Sequence, residues 1–349
     1  MRIDRLDGIR AIAILMVLLF HRGYLSQGWT GVDLFFVLSG FLITGILRKT
    51  RTDERYWTRF YSRRAARILP PVLLLMIVYS LAAKPPLPTI LGYTLFAGNY
   101  MSRTVYGRSV LGSLWSLAVE EHFYLLWPLI VLLFNRRWLI IGLAALLVAE
   151  PALRAVLTPH VATYESFYYL TPFRLDGLAA GSLLALLTEG DVTVPAQRLA
   201  GWIGALLAST LFIIHALVPS FVRHTNSAIF NSLGYSLVSA TFFCFIAWVM
   251  SLEAGLANTV LSWRPLTYLG RISFGAYLLD VPVSTLMKHM EQRSSQLAAV
   301  RRLLPIDLVV ILVAATLSFF FIEQPIIRLV RIRSEMVVEG GEYWWRTEN

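Results

Sequence analysis

Arg10 and His21 lie eleven positions apart in one apolar run near the N-terminus. At about 100° per residue, eleven steps return to within about 20° of three full turns. On a helix the two would share a face, about 16 Å apart along the axis. An arginine grips phosphate or carbonyl oxygens, and a histidine exchanges protons near neutral pH. Together they can hold a long, thin ligand that runs through the depth of a membrane. The same spacing also fits a snorkelling arginine and a histidine buried in an ordinary hydrogen bond. Asp33 follows in GVDLFFVLSGFL, at the start of the next apolar stretch and at the expected depth of His21. A carboxylate there can orient the imidazole, or simply favour a helix N-terminus.

Further along, RYWTRFYSRRAARILPP repeats Arg55, Arg59, Arg63 and Arg67 every four residues, with Tyr56, Trp57, Phe60 and Tyr61 between them. On a helix this is one basic row with interfacial aromatic anchors. It fits a polyphosphate cradle, and equally a topological signal against anionic headgroups. In SLWSLAVEEHFYLLWP, Ser116, Glu120 and Tyr124 share a face that Trp127 continues, and a face holding a carboxylate should point inward. Glu120, Glu121 and His122 point in different directions on a helix and no second ligand motif accompanies them, so no metal is expected. Glu150 and Arg154 are four apart and read as a structural pair. Arg174 and Asp176 in PFRLDGLAAG, Asp280 in SFGAYLLDVP, and Glu323 two residues before Pro325 complete the set. A charge at the bilayer centre costs about 2.5–3.5 kcal/mol even on the lenient insertion scale. Each of these residues therefore calls for a partner or a function, interhelical hydrogen bonding being the plainer explanation.

The chain that positions them has 349 residues, 57% hydrophobic and only 15% charged, with mean hydropathy +0.63. A soluble domain is about 25% charged. Lipid is the expected solvent, which excludes a disordered chain, a disulfide scaffold and an ordinary cytosolic enzyme. Cys244 is the single cysteine, so neither an internal disulfide nor a cysteine metal cluster is available. The net charge is +10, and only Lys49, Lys84 and Lys288 among the 31 basic residues are lysine. In a membrane protein such an excess marks cytoplasmic loops rather than nucleic-acid binding.

The expected fold is all-α: a polytopic bundle of about ten transmembrane helices, near 8–26, 30–48, 68–84, 114–135, 138–157, 166–188, 200–218, 231–251, 265–287 and 305–329. The first reads as an uncleaved helix, because His21-Arg22-Gly23-Tyr24 stands where a small-residue cleavage site would be. Residues 87–101 are short and open with a proline cluster, so they are expected to be interfacial or re-entrant. The positive-inside rule puts both termini, the 48–67 loop and Arg136-Arg137 in the cytoplasm, with the basic 288–304 loop as the exception. Residues 1–333 form one membrane domain and 334–349 a short polar tail. No segment suffices for a separate soluble catalytic domain. The bundle must do the chemistry, and no internal repeat favours a transporter.

In order, the segments Arg5–Ala13 (R-LDG-RAIA), GVDLFFVLSGFLIT, FYSRRAARILP, SLWSLAVEEHFYLLWP, FRLDGLAAGSLLA, ISFGAYLLDVP and FIEQPIIR resemble acyltransferase family 3, the polytopic O-acyltransferases of bacterial membranes. The resemblance spans nearly the whole chain. It implies transfer of an acyl group, most often acetyl, from cytoplasmic acyl-CoA as co-substrate to a sugar hydroxyl at the outer face of the inner membrane, with no permanently bound cofactor. It implies that His21 is catalytic with Arg10 as its partner, and that Arg63 and Arg67 hold the donor phosphates; Arg59, on the same row, is a further donor-binding candidate. Family members commonly carry His where this chain has Asp280, and Phe274 replaces a frequent Tyr. The esterase-like domain of some relatives is not expected, which makes this a stand-alone form.

The expected mechanism has His21 as general base, oriented by Asp33 or Glu120. Arg10 serves the oxyanion or the pantetheine arm, and a covalent acyl-His remains open. Ser116, Tyr124, Arg174, Asp176 and Glu323 are further site candidates. A flippase for a lipid-linked sugar and a non-catalytic glycan-binding partner are the competing readings. O-antigen, exopolysaccharide, peptidoglycan, a lipo-oligosaccharide and a macrolide sugar all fit as acceptors.

Overall fold

A computed structural model describes residues 3–101, 110–189, 194–218, 221–293 and 306–336. Residues 337–349 of the expected tail, and Arg301 and Arg302 of the 288–304 loop, lie outside the described residues. Among the described residues every regular element is a helix.

Helix α1 (Asp4–His21) carries Asp4 and Asp7 in its first turn and His21 in its last, as the helix dipole favours. It is followed by α2 (Gly31–Lys49) and α3 (Tyr56–Ala83). The arginine row and the third apolar span are therefore one continuous helix rather than a loop followed by a span. At 28 residues α3 is about 42 Å long, so its first turns, which hold Arg59 and Arg63, extend past a hydrocarbon core of about 30 Å. Lys84 ends it in the left-handed region (φ 46°), ahead of Pro85-Pro86. Next come the short α4 (Leu87–Thr94), α5 (Leu114–Leu133) and α6 (Arg136–Leu157). The Asn135 side chain caps α6 by accepting from the Trp138 N–H at 3.1 Å. After α7 (Glu165–Tyr169) and α8 (Leu175–Leu187) come α9 (Val194–Leu217) and α10 (Tyr235–Met250), the last entered through a π-helical turn. Two short helices, α11 (Leu256–Leu261) and α12 (Arg264–Arg271), precede α13 (Ser273–Arg293). Helix α14 (Ile306–Ser318) passes through a π-helical turn at Phe319–Glu323 into α15 (Gln324–Met336).

Among the described residues seven helices are long and apolar enough to cross a membrane: Gly28–Lys49, Tyr56–Ala83, Leu114–Leu133, Arg136–His160, Val194–Leu217, Phe230–Met250 and Ile306–Val330. The other three expected spans differ for physical reasons. Helix α1 is continuous, but Asp4, Arg5, Asp7 and Arg10 leave its 18 residues too highly charged for an apolar span. The 166–188 span is broken at Leu170–Arg174 and leaves a 13-residue helix. The 265–287 span breaks at Ile272, and α13 carries Asp280, Lys288, Glu291 and Arg293. Residues 87–94 form one eight-residue helix, about 12 Å long and too short to span.

The helices run up and down, so the bundle has two ends. The α1 N-terminus, the α2 C-terminus and the start of α3 share one, with Arg10, Arg59, Arg63, Arg64 and Arg67. Arg51 donates to the Leu132 carbonyl at 2.8 Å and Arg136 to the Leu186 carbonyl at 3.0 Å, both at C-terminal ends of helices. His21 marks the opposite end. Helix α2 is central: 67% of its apolar stretch is buried, against 6% for α9, whose apolar sides are largely exposed. The α2–α8 crossing is close because Gly40 lies under the Leu178 carbonyl and Gly181 under the Val37 carbonyl. A Cβ at either position would come within 2.0 and 1.8 Å of those oxygens.

Candidate active site

At the histidine end, His21 Nδ1–H donates to Asp280 Oδ2 at 2.6 Å. The imidazole is one-third exposed (33%), whereas Asp280 is 1% exposed. With Nδ1 committed to the carboxylate, Nε2 carries the lone pair and is the nitrogen free to accept a proton. Asp280 comes from α13, 259 residues away in sequence. Its other oxygen, Oδ1, accepts from Arg22 Nη1 at 3.1 Å. This corrects the expectation that Asp33 or Glu120 orients the ring. Asp33 is taken by Arg174 Nη2 at 2.7 Å, and Glu120 accepts from the Tyr124 hydroxyl at 2.6 Å.

From the arginine end, two cavities lead inward. The outer one, about 440 Å³, is lined by Arg59, Arg63, Arg64 and Arg67 together with Thr50 and Phe60. The inner one, about 100 Å³, is lined by Arg10, Arg64, Arg67, Ser39, Ser116, Glu120 and Tyr124, and by Phe274 and Tyr277. Arg64 and Arg67 face both, so the two adjoin. A third cavity of about 360 Å³ reaches Arg10 and Arg67 past Asp7, Arg271 and Glu323. Glu323 is held there by the π-helical turn and is buried. Arg10 Nη1 donates to Asp7 at 2.7 Å, and Arg59 pairs with Asp53. The Arg64 guanidinium lies 5.0 Å over the Tyr124 ring. At the far end of the inner cavity, Ser116 Oγ and the Tyr277 hydroxyl are 2.6 Å apart, and Tyr277 donates to the Ser113 carbonyl. Tyr277 precedes Asp280 by three residues on α13, so cavity and dyad are offset by about 4.5 Å along that helix.

The sequence candidates thus divide. Arg10, Arg59, Arg63, Arg67, Ser116, Glu120, Tyr124 and Glu323 line the cavities. His21 lines none of these three cavities. Asp33, Arg174 and Asp176 belong to buried networks elsewhere. Arg174 is fully buried, paired with Asp33 and enclosed by the rings of Phe36, Trp115, Tyr168 and Tyr235 at 4.6–5.7 Å. Its Nε and Nη1 have no hydrogen-bond partner, so the ring faces take the place of water around the cation. Asp176 joins Arg154 at 2.9 Å, and Arg154 bonds Glu150 at 3.1 Å, as the i,i+4 spacing suggested. Sequence reading missed Arg64, which sits off the four-residue row, and Tyr277. It also missed the contacts of Arg22 and Asp280. Among the described residues no group of three or more His, Cys, Asp or Glu is placed to hold a metal.

Fold and site define a class: a polytopic helical membrane protein with a cationic mouth at one end, a polar internal cavity, and a carboxylate-anchored histidine at the other end. A family model described as an acyltransferase domain matches residues 3–322, and the chain belongs to acyltransferase family 3. It is similar to a putative peptidoglycan O-acetyltransferase, YrhL, of Bacillus subtilis, at 30% identity over 93% of this chain and 55% of the relative. It is also similar to the O-acetyltransferase OatA of Staphylococcus aureus, at 30% over 92% of this chain and 56% of that protein. The peptidoglycan O-acetyltransferase OatA of Listeria monocytogenes is 29% identical over 93% of this chain and 56% of its own length. The chain therefore spans about half the length of these relatives. No solved structure matches it.

Proposed function

We propose that this chain is a membrane O-acyltransferase that moves an acetyl group from acetyl-CoA to a hydroxyl of an envelope glycan. The relatives' names point to peptidoglycan as the acceptor class. The observation that carries the reading is the His21–Asp280 contact at 2.6 Å, with a partly exposed ring, at the end of the bundle opposite the arginine cavities. That separation suits a donor and an acceptor that come from different compartments.

In this reading the arginine end faces the cytoplasm, as the positive-inside rule favours. Arg59, Arg63, Arg64 and Arg67 take the nucleotide phosphates in the outer cavity. The pantetheine arm extends past Arg10 into the inner cavity, where Ser39, Ser116 and Glu120 offer partners to its amides. The thioester passes the Ser116–Tyr277 hydroxyl pair to reach the dyad. There His21 Nε2 takes the proton of the acceptor hydroxyl as its oxygen attacks the thioester carbonyl carbon. Asp280 accepts Nδ1–H throughout and offsets the charge of the imidazolium. Collapse of the tetrahedral adduct breaks the carbon–sulfur bond. The departing thiolate takes the proton back from the imidazolium and leaves as the free thiol.

The test is thiol release by purified protein with acetyl-CoA and peptidoglycan fragments, comparing wild type with His21→Ala. His21→Ala is expected to lower turnover by about 10²–10⁴-fold while the protein remains folded in detergent. Full activity in that variant would sink the assignment. Flipping of a lipid-linked sugar without thiol release would favour the transporter instead.

A further inference from the structure

We infer that Arg22 and Asp307 are positioning residues for the reaction at His21: they hold the Asp280 carboxylate, and through it the imidazole, in one orientation and one tautomer. This rests on the reading of His21 as the base.

Asp280 is almost fully buried and has two oxygens to satisfy. Oδ2 receives His21 Nδ1–H at 2.6 Å and Oδ1 receives Arg22 Nη1 at 3.1 Å. The guanidinium is itself fixed. Arg22 is the C-cap of α1 and donates to the Leu18 carbonyl at 2.7 Å, one of the carbonyls a helix end leaves without an internal partner. Its Nε lies 3.0 Å from Asp307 Oδ2, an ion pair held by charge rather than by an aligned hydrogen bond. Asp307 is the second residue of α14, where a helix N-terminus favours an acid. Arg22 Nη2 also lies 3.5 Å from the Ser284 hydroxyl, one turn beyond Asp280 on α13. Three helices are thus tied through one guanidinium at the point where the imidazole must be aimed.

The arrangement has a chemical consequence. Asp280 has both oxygens engaged, by His21 Nδ1–H and by Arg22 Nη1, so the ring proton sits on Nδ1 and the lone pair on Nε2. The opposite tautomer would present an N–H to the acceptor hydroxyl and could not take its proton. With a neutral imidazole, Asp280, Arg22 and Asp307 together carry one negative charge; a protonated ring brings the set to zero. The Arg22 and Asp307 side chains are only 8% and 6% exposed, so neither reaches a substrate. The buried ion pairs of Arg154 with Glu150 and Asp176, and of Arg174 with Asp33, have no exposed proton-carrying member. In the Asp280 network the chain of pairs ends on the partly exposed ring of His21.

Asp307→Asn is the cleanest test, being isosteric, with Arg22→Gln and Arg22→Lys beside it. Two quantities are read on the full chain in detergent: kcat and KM for acetyl-CoA and glycan, and the rate at which diethylpyrocarbonate carbethoxylates His21, followed by peptide mass. The second needs no acyl transfer and reports the unprotonated ring nitrogen directly. Asp307→Asn and Arg22→Gln are expected to lower kcat by about 10–100-fold with KM within about twofold, and to change His21 modification in step. Arg22→Lys should recover part of both, since the charge is retained. Wild-type kcat and wild-type modification in Asp307→Asn and Arg22→Gln would overturn the proposal. So would a loss accounted for entirely by less folded protein. If the wild type releases no thiol but modification still depends on Asp307, the acyltransferase reading fails and the positioning role stands. If thiol release requires His21 but is indifferent to Asp307 and Arg22, the converse holds.

Discussion

Arg174 and His21 show two uses of a charge placed among apolar helices. Arg174 is sealed by four rings and Asp33, and its role is to bind helices together. Removing it leaves a buried carboxylate uncompensated. Arg174→Ala is expected to cost about 3–5 kcal/mol, read as a lower unfolding midpoint in detergent, and Asp33→Asn in the same chain should recover part of it. His21 keeps one edge open, and its partner decides its chemistry. Asp280→Asn is expected to lower kcat by about 10²–10⁴-fold with little change in donor KM, because the amide can stabilise the wrong tautomer. Asp280→Glu, which keeps the carboxylate, should retain more activity than the amide. The partners were the part hidden in the sequence. Arg10, His21 and the arginine row announce themselves by periods of eleven and four within a helix. Asp280 meets His21 across 259 positions, and no periodicity encodes which of the carboxylates expected at similar depth will arrive. Asp33 was the reasonable choice by depth, but Arg174 claims it.

At the level of elements, apolar length located the helices and failed where short-range chemistry interrupts them. Thr171-Pro172 breaks the sixth expected span, and Ile272 splits the ninth, steps that hydropathy averages away. The π-helical turn at Phe319–Glu323 is likewise invisible to composition, yet it brings Glu323 to the cavity beside Arg10. The α2–α8 crossing depends on two glycines. Gly181→Leu is expected to force the helices apart, because even a Cβ would sit 1.8 Å from the Val37 carbonyl oxygen. The expected outcome is a substantially lower unfolding midpoint and poor recovery from the membrane. An unchanged midpoint would show that the helices can separate without loss.

The whole molecule is a bundle with chemically different ends. One carries guanidinium groups around connected cavities, and the other an imidazole anchored on a carboxylate. If the arginine end receives the donor, Arg63→Ala with Arg67→Ala should raise the KM for acetyl-CoA by at least about tenfold and lower kcat much less. An unchanged KM would leave those arginines a topological role only. The central claim is that a thioester loaded at one end meets an alcohol at the other. Proteoliposomes in which the arginine end faces outward, with glycan fragments sealed inside and acetyl-CoA added only outside, test it most directly. The account predicts acetylated glycan within the vesicles and free thiol outside, both lost in His21→Ala. Transfer that occurs only when donor and acceptor share one compartment would contradict it.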